Sequence, residues 1–269
     1  MHLTGLIALG TVAGTGAGLL AGMLGIGGGV VVVPVVFYGL VGWGQVPAGE
    51  AAHVAVATSL AAILPAAVVS SAAHWRAGNT DLDFLVAWGP GIALGVVAAQ
   101  LAAPHLRGSL MTGAFALLCL VFAARFAFPG RFRPLGAAPS AGMLRAVAGA
   151  GIGLCSGLAG VGGGILTNIV MNLSGLSMHR SVGRSAAVGV VVAIPATLTA
   201  ALGPGPHGPT RLGSIDLAMW ICIAPSQAVA AWFGARLARR ISGPGLSRVL
   251  GLVLFVTGVA MLRSSALGE

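Results

Sequence analysis

Eight glycines near the N-terminus recur in the second half of the chain at one fixed spacing of 135 residues. The pairs are Gly14 and Gly149, Gly16 and Gly151, Gly18 and Gly153, Gly22 and Gly157, Gly25 and Gly160, Gly27 and Gly162, Gly28 and Gly163, and Gly29 and Gly164. Chance does not keep eight glycines in register. The sequence therefore predicts two copies of one unit, residues 1–128 and 143–269, joined by a connector at 129–142 that is rich in Pro, Gly and Arg.

The unit is predicted to lie in a membrane. Hydrophobic residues make up 57% of the chain and charged residues 7%, which is too little charge for an ordinary water-facing surface. Nearly uncharged stretches of about the 20 residues that a crossing helix needs lie at 3–24, 51–73, 83–104, 108–128, 185–203, 217–235 and 245–262. We expect an all-α integral membrane protein with five apolar pieces in each half.

The first two pieces of each half form either one broken crossing or a hairpin that enters the membrane and returns. These pieces are 3–24 with 30–42 in the first half and 143–160 with 165–176 in the second. Arginine placement separates the two, because loop arginines collect on the cytoplasmic side. One broken crossing divides the 14 arginines equally. Hairpins, whether re-entrant or fully crossing, leave only Arg107, Arg211 and Arg263 on one side, which favours hairpins and puts both termini outside.

Hairpins also give each half an odd number of full crossings, so the two halves are expected to be inverted relative to each other. Inverted repeats with interrupted helices are a common architecture of secondary transporters. Each half is then a glycine-broken helical hairpin followed by three transmembrane helices.

The glycines fall into two groups with different predicted roles. Gly14, Gly18 and Gly22, like Gly149, Gly153 and Gly157, have the small-xxx-small spacing of closely packed helices. The clusters at 25–29 and 160–164 disfavour a continuous helix, and each precedes a short apolar helix whose N-terminus would attract an anion. Glycines that merely permit tight packing are the alternative interpretation. The predicted anion-binding glycines are Gly27, Gly28, Gly29, Gly162, Gly163 and Gly164.

Few polar side chains are available to complete such a site. Thr167 and Asn168 follow the second cluster. Thr58 and Ser59 lie in the third piece, and their hydroxyls either contact the ligand or bond back to carbonyls of their own helix. Charged or titratable candidates near segment ends are Arg184 for the anion, and Glu50 and His53 for proton coupling. The same residues could be purely interfacial.

The paired glycine clusters, the run Ala57-Thr58-Ser59-Leu60, and the two Arg-x-Gly-x-x-Asp loops that start at Arg76 and Arg211 resemble the TauE/SafE sulfite exporter family. The resemblance covers nearly the whole chain. It implies a multi-pass transporter of the bacterial inner membrane, with sulfite, thiosulfate, sulfoacetate or other small organosulfur or carboxylate anions as substrates. The chain departs from the family in the second half, where Ala187-Val188-Gly189 stands in place of a Gly-Thr-Ser type turn, so the resemblance does not imply a hydroxyl ligand at that turn.

Other functions fit the sequence less well. A Walker A loop needs a lysine. All 14 basic residues counted as Lys or Arg in this chain are arginines, so the chain is not expected to be an ATP-driven pump by itself. Ser156 lies in a sequence one residue longer than a rhomboid-type protease motif, and we expect no enzyme activity. The arginines lie singly or in small groups at the ends of apolar segments, where topology signals explain them better than nucleic-acid binding does. We expect no cofactor, leave a homo-oligomer open, and keep a passive anion channel or a carrier of non-sulfur carboxylates as alternative functions.

Overall fold

The computed structural model describes residues 3–43, 46–80, 82–127, 142–205, 210–238, 240 and 243–267. Within these residues the protein is an all-α integral membrane protein with one two-residue strand pair, and most of the predicted connector lies outside them. The first five helices are α1 (Leu3–Leu24), α2 (Gly29–Gly42), α3 (Ala48–Arg76), α4 (Leu82–Ala102) and α5 (Gly108–Ala127). The others are α6 (Gly142–Ala159), α7 (Gly164–Leu173), α8 (Met178–Leu202), α9 (Leu217–Ala238) and α10 (Gly243–Leu267).

Eight of the described helices are long and apolar enough to cross a bilayer, which confirms the predicted class. The two exceptions are α2, with 14 residues, and α7, with 10. At about 1.5 Å per residue they extend about 21 and 15 Å, well short of a hydrocarbon core of about 30 Å. Both begin directly after a glycine cluster, in agreement with the prediction that these glycines interrupt a helix. The antiparallel strands β1 (Arg211–Leu212) and β2 (Ile215–Asp216) had no predicted counterpart.

The chain reverses direction between α1 and α2. Gly10 in α1 and Gly39 in α2 both lie against the first turns of α9, at Cys222 and Met219. Gly28, at the start of α2, lies beside the carbonyl of Ala17 in α1. The first two pieces therefore form a hairpin rather than one continuous crossing.

The second hairpin turns in the same way. Gly157, near the end of α6, lies against Ala99 near the end of α4. Asn172, near the end of α7, instead accepts a hydrogen bond from Arg125 at the far end of α5 (3.4 Å). Because a short 3-10 turn joins the end of α4 to the start of α5, α7 runs back towards the level at which α6 began.

Glycines on one face of each hairpin let two helices pack backbone to backbone, as the small-xxx-small spacing predicts. α1 meets α9 in ascending order along both helices, at the pairs Gly10 and Cys222, Gly14 and Ile223, Gly18 and Gln227, and Gly22 and Ala231. α6 meets α4 in the same parallel sense, at the pairs Gly149 and Trp88, Gly153 and Ile92, and Gly157 and Ala99. The corresponding helices α3 and α8 are antiparallel, because Gly183 near the start of α8 contacts Asn79 just beyond the end of α3.

The described arginines are divided unequally between the two ends of the helix bundle. The end that we call Arg-poor holds the starts of α3 and α5 and the ends of α8 and α10, which contact one another or the strand pair. Its described arginines are Arg107, Arg211 and Arg263. The opposite, Arg-rich end carries Arg76, Arg125, Arg145, Arg180, Arg184, Arg236, Arg240 and Arg248.

The packing of α1 on α9 gives a first prediction. Alanine at Gly18 would place a methyl group against the Gln227 carbonyl, whereas alanine at Gly16, two residues earlier in α1, would meet nothing within 4 Å. Gly16→Ala is expected to raise the thermal midpoint in detergent slightly, since alanine is favoured over glycine in a helix by about 0.5–1 kcal/mol. Gly18→Ala is expected to lower the midpoint. Equal effects of the two changes would contradict this packing.

Candidate functional site

Two glycine loops with the same backbone conformation precede α2 and α7. The first glycine loop is residues 25–28 and the second is residues 160–163. Glycines at matching positions have positive φ angles: 66°, 78° and 79° at Gly25, Gly27 and Gly28, and 71°, 60° and 73° at Gly160, Gly162 and Gly163. Side chains strain this left-handed backbone, which explains why glycine occupies both sets of positions.

The two loops touch each other inside the protein. A methyl group at Gly29, the first residue of α2, would collide with the carbonyl of Gly160, and one at Gly164, the first residue of α7, would collide with the carbonyl of Gly25. A β-carbon at Gly162 would lie 3.7 Å from the Cα of Gly27. All of these residues are buried. The structure thus brings together the two helix N-termini that the sequence singled out.

Neither N-terminus has a side-chain cap. Gly28 and Gly163 occupy the N-cap positions in the left-handed conformation, and glycine has no side chain to accept hydrogen bonds from the first-turn N–H groups. Their carbonyls accept hydrogen bonds from Val32 (3.2 Å) and Thr167 (3.1 Å) as the helices begin. The positive ends of two helix dipoles therefore meet in a buried region, an arrangement that suits an anion.

Side chains from other helices hold the carbonyls of the loops. The Ser59 hydroxyl in α3 donates to the carbonyl of Gly160 (3.0 Å), and the Gln227 amide in α9 donates to that of Gly27 (2.9 Å). Asn168 in α7 donates through Nδ2 to the carbonyl of Leu24, just before the first loop (3.2 Å). These three backbone carbonyls thereby find donors within the protein, as membrane depth requires.

Several buried oxygens close to these loops have no hydrogen-bond partner among the described residues. They are Thr167 Oγ1, Asn168 Oδ1, Ser156 Oγ and Gln227 Oε1. Thr167 and Asn168 are completely buried in the first turn and a half of α7. Because a buried polar atom without a partner is costly, these residues are chemically competent to bind a small polar ligand.

Ile63 of α3 fills the space between the loops. Its side chain is fully buried and would lie 3.1 Å from a methyl group at Gly27 or Gly29 and 3.2 Å from one at Gly162. α3 thus contacts both loops through one apolar residue, one turn after Ser59. Sequence reasoning did not single out Ile63, since an isoleucine in an apolar helix carries no local signal.

Thr58 and Arg184 contact residues outside the glycine loops. Thr58 Oγ1 accepts a hydrogen bond from the backbone N–H of Asp216 (2.9 Å) and so joins α3 to the strand pair. Arg184 lies with its guanidinium 4.8 Å from the centre of the Phe84 ring and 3.9 Å from the Met171 sulfur. The neighbouring Ser185, rather than Arg184, faces the first loop at Gly25.

Glu50 and His53 both line a cavity of about 560 Å³ at the Arg-poor end. Its wall also includes Gln100, His105 and Ser214, and it reaches Val56, which lies against Gly160. His53 Nδ1 lies 3.0 Å from the carbonyl of Gly49, and its Nε2 lies 3.0 and 3.1 Å from those of Ala103 and Leu106. The histidine therefore links α3 to the turn between α4 and α5.

Two glutamines lie within the apolar helices, the partly buried Gln100 in α4 and the buried Gln227 in α9. Each glutamine donates a hydrogen bond to the backbone at or near one glycine loop. Gln100 donates to the carbonyl of Gly157 (3.0 Å), just before the second loop, and Gln227 donates to the carbonyl of Gly27 in the first loop. An amide within an apolar helix indicates a buried partner. The identity of that partner depends on which distant helices pack together.

Comparison with known proteins gives the family. A family model described as "Sulfite exporter TauE/SafE" matches residues 10–261. The chain is also similar to a "Probable membrane transporter protein" of Haemophilus influenzae, with 29% identity over 178 residues that cover 66% of this chain and 67% of the relative. No solved structure matches the chain.

The second glycine loop gives a second prediction. Alanine at Gly163 would combine backbone strain with a methyl group 2.7 Å from Val192, whereas alanine at Gly175, with a φ of 86°, would meet nothing within 4 Å. Both changes are expected to lower the stability by about 1–2 kcal/mol, because alanine is strained in the left-handed conformation. Only Gly163→Ala also overpacks its surroundings, which lowers the stability by about a further 1–3 kcal/mol. Thermal unfolding in detergent measures the difference, and equal midpoints would show that the loop is loosely packed.

Proposed function

Because the chain belongs to the sulfite exporter TauE/SafE family and is a membrane transporter, we propose that it exports small sulfur-containing anions such as sulfite, thiosulfate or organosulfonates. The membrane is the bacterial inner membrane, and the mechanism is secondary transport by alternating access around a midplane site. The observation that carries the proposal is the buried meeting of two uncapped helix N-termini at the glycine loops.

The chemistry of the loops matches that of an oxyanion. Sulfite and its relatives present several oxygens that only accept hydrogen bonds, and the first-turn N–H groups of α2 and α7 can only donate them. In this proposal Gly27, Gly28, Gly29, Gly162, Gly163 and Gly164 supply backbone around the anion. From the first turns of α7, Thr167 adds a hydroxyl that can donate, and Asn168 adds the second N–H of Nδ2, whose first N–H is donated to the carbonyl of Leu24.

The remaining candidate residues take supporting roles in the proposal. Ser59 braces the second loop through its hydrogen bond to Gly160, and Thr58 anchors the same helix to the strand pair. Arg184, in the second turn of α8 at the Arg-rich end, attracts anions towards the site. This division follows from the partners that each side chain has in the folded protein.

Alternating access by inverted repeats is supported by the course of the helices. α3 and α8 correspond in the two halves and are antiparallel, and each hairpin packs in parallel on a helix of the opposite half. The contacts of Gly29 with Gly160 and of Gly164 with Gly25 leave no room for an anion between the helix ends. Binding therefore requires the repeat at 1–128 to move against the repeat at 143–269, which separates the loops.

The arginine distribution supports an orientation. Eight of the eleven described arginines lie at the Arg-rich end, which the positive-inside rule assigns to the cytoplasm. Both termini and the 560 Å³ cavity then lie on the outer side, as expected for a state that has released its anion outwards. An inside-negative potential favours anion exit by about 2.3 kcal/mol per charge per 100 mV.

Glu50 and His53 line the cavity, and in this proposal a coupled proton enters from outside through that cavity. The ring of His53 lies among carbonyl oxygens, with that of Gly49 at Nδ1 and those of Ala103 and Leu106 at Nε2, and these oxygens accept hydrogen bonds only. This supports a role for the pair in coupling.

Flux through the reconstituted protein tests the proposal. Purified protein in liposomes is expected to take up labelled sulfite saturably, with competition by thiosulfate and a short organosulfonate. Gly28→Leu, which forces a side chain onto Ala17 and Gln227 at a φ of 79°, is expected to abolish this flux. Measurable ionic current in planar bilayers would indicate the channel alternative, and uptake of a carboxylate without sulfite would indicate the non-sulfur carrier.

Thr167→Val separates ligand binding from folding. The change keeps the β-branched shape and removes a buried hydroxyl that has no partner among the described residues, so the thermal midpoint is expected to stay the same or to rise. A lost hydrogen bond to an anion is worth about 1.5–3 kcal/mol, which predicts a roughly 10- to 100-fold higher KM for sulfite.

The matched control is Thr112→Val in α5, whose hydroxyl donates to the carbonyls of Gly108 (3.2 Å) and Ser109 (3.1 Å). It makes the same chemical change in another buried helix and is expected to leave the KM as it was. An unchanged KM in Thr167→Val, together with active wild-type transport, would remove Thr167 from the site.

A further inference from the structure

A groove runs along the outer side of α1 and α9 towards the Arg-rich end. It consists of two cavities of about 460 and 750 Å³ that share Leu19 and Phe233. Thr15, Pro225 and Val229 line the deeper part, and Arg236 and Arg240 line the part at the helix end. We call it the α1–α9 groove.

The groove follows from the same glycines that pack the two helices. A methyl group at Gly234 would collide with the carbonyl of Leu19, so the backbones are in contact along this line. Large side chains remain on either side of the contact, and Val229 and Phe233 are more than half exposed, at 62% and 54%. The result is a concave apolar surface that faces the bilayer.

The charged end of the groove has two arginines without an acidic neighbour among the described lining residues. A cation–π contact with Trp232 orients the Arg236 guanidinium, which lies 3.4 Å from the centre of that ring. Arg240 is exposed one turn further on. Two arginines that line one cavity, one of them with an oriented guanidinium, suit a phosphate group.

The dimensions match one leaflet of a membrane. Pro225 and Arg236 are 11 residues apart in α9, which is about 16 Å along the helix and about half of a hydrocarbon core of roughly 30 Å. A chain that starts at the arginines would therefore reach the middle of the bilayer at Pro225. The apolar part has the length of an acyl chain, and the cationic part lies where a headgroup would be.

We propose that the α1–α9 groove binds an anionic phospholipid, with its phosphate on Arg236 and Arg240 and one acyl chain along Leu19, Val229 and Phe233. The charges and the length favour this occupant over a second copy of the chain, because a copy would bring arginines against arginines across a two-fold contact. α1 leads into the first glycine loop, and α9 holds that loop through Gln227. The lipid would thus stabilise the two helices that support the first loop, whichever anion is transported.

Lipid binding is measured on the purified protein by native mass spectrometry and by the thermal midpoint. Phosphatidylglycerol is compared with phosphatidylcholine of the same acyl chains and with inorganic phosphate. Phosphatidylglycerol is expected to bind more tightly and to raise the midpoint more than phosphatidylcholine does. The double variant Arg236→Gln/Arg240→Gln is expected to weaken phosphatidylglycerol binding on the order of 10- to 30-fold.

Two further variants keep the test decisive. Arg180→Gln/Arg248→Gln removes two exposed arginines from the same end, on α8 and α10, and is expected to bind phosphatidylglycerol like the wild type. Thr15→Phe fills the apolar part, since Thr15 is exposed in the groove, and is expected to weaken binding with all arginines present.

Three results would overturn the proposal. The first is equal loss of binding in the two double variants, which would mean a general effect of charge. The second is equal protection by inorganic phosphate, which would mean a site for a free anion. The third is a stable dimer that Thr15→Phe dissociates without any effect of phosphatidylglycerol on the monomer, which would mean that a second copy covers the groove.

Discussion

Backbone polar groups that leave a helix inside a membrane must find partners within the protein, and this constraint governs the arrangement around the glycine loops. Each loop gives up helical hydrogen bonds at membrane depth, so donors have to come from elsewhere. Ser59 and Gln227 supply them from α3 and α9, and Asn168 does so from the short helix of the opposite hairpin. These bonds explain why the few polar residues of the apolar helices lie where they do.

The breaks in the helices also leave first-turn N–H groups of α2 and α7 that could bind an anion where the loops meet. Side chains satisfy the loop carbonyls, but the N-termini of α2 and α7 are capped by glycines that have no acceptor to offer. In the observed conformation each N-terminus is pressed against a carbonyl of the opposite loop, Gly160 or Gly25. An anion would replace that carbonyl as the group facing the helix dipole, so binding and separation of the loops would be one event. This links the geometry to alternating access more directly than a preformed pocket would.

Much of this architecture could be predicted from the sequence because glycine positions are local signals. The small-xxx-small steps on α1 and α6 indicated close packing, and the clusters at 25–29 and 160–164 indicated the breaks, as the structure confirms. Ile63 and Gln227 could not be assigned roles, because their importance comes from which distant helices meet. For Thr58 the sequence suggested a ligand contact, but its hydroxyl joins α3 to the strand pair at Asp216. No pattern in the apolar helices revealed that pairing.

The duplicated backbone carries side chains that are not duplicated, and this asymmetry bears on how an anion would be held. At the positions that correspond to Thr167 and Asn168, the first half has Val32 and Val33, which are also buried. The backbone at both helix ends can donate to an anion, but only α7 adds a hydroxyl and an amide. An anion would therefore be bound more strongly by the second hairpin, while the apolar start of α2, next to Ile63, would be the side that moves away.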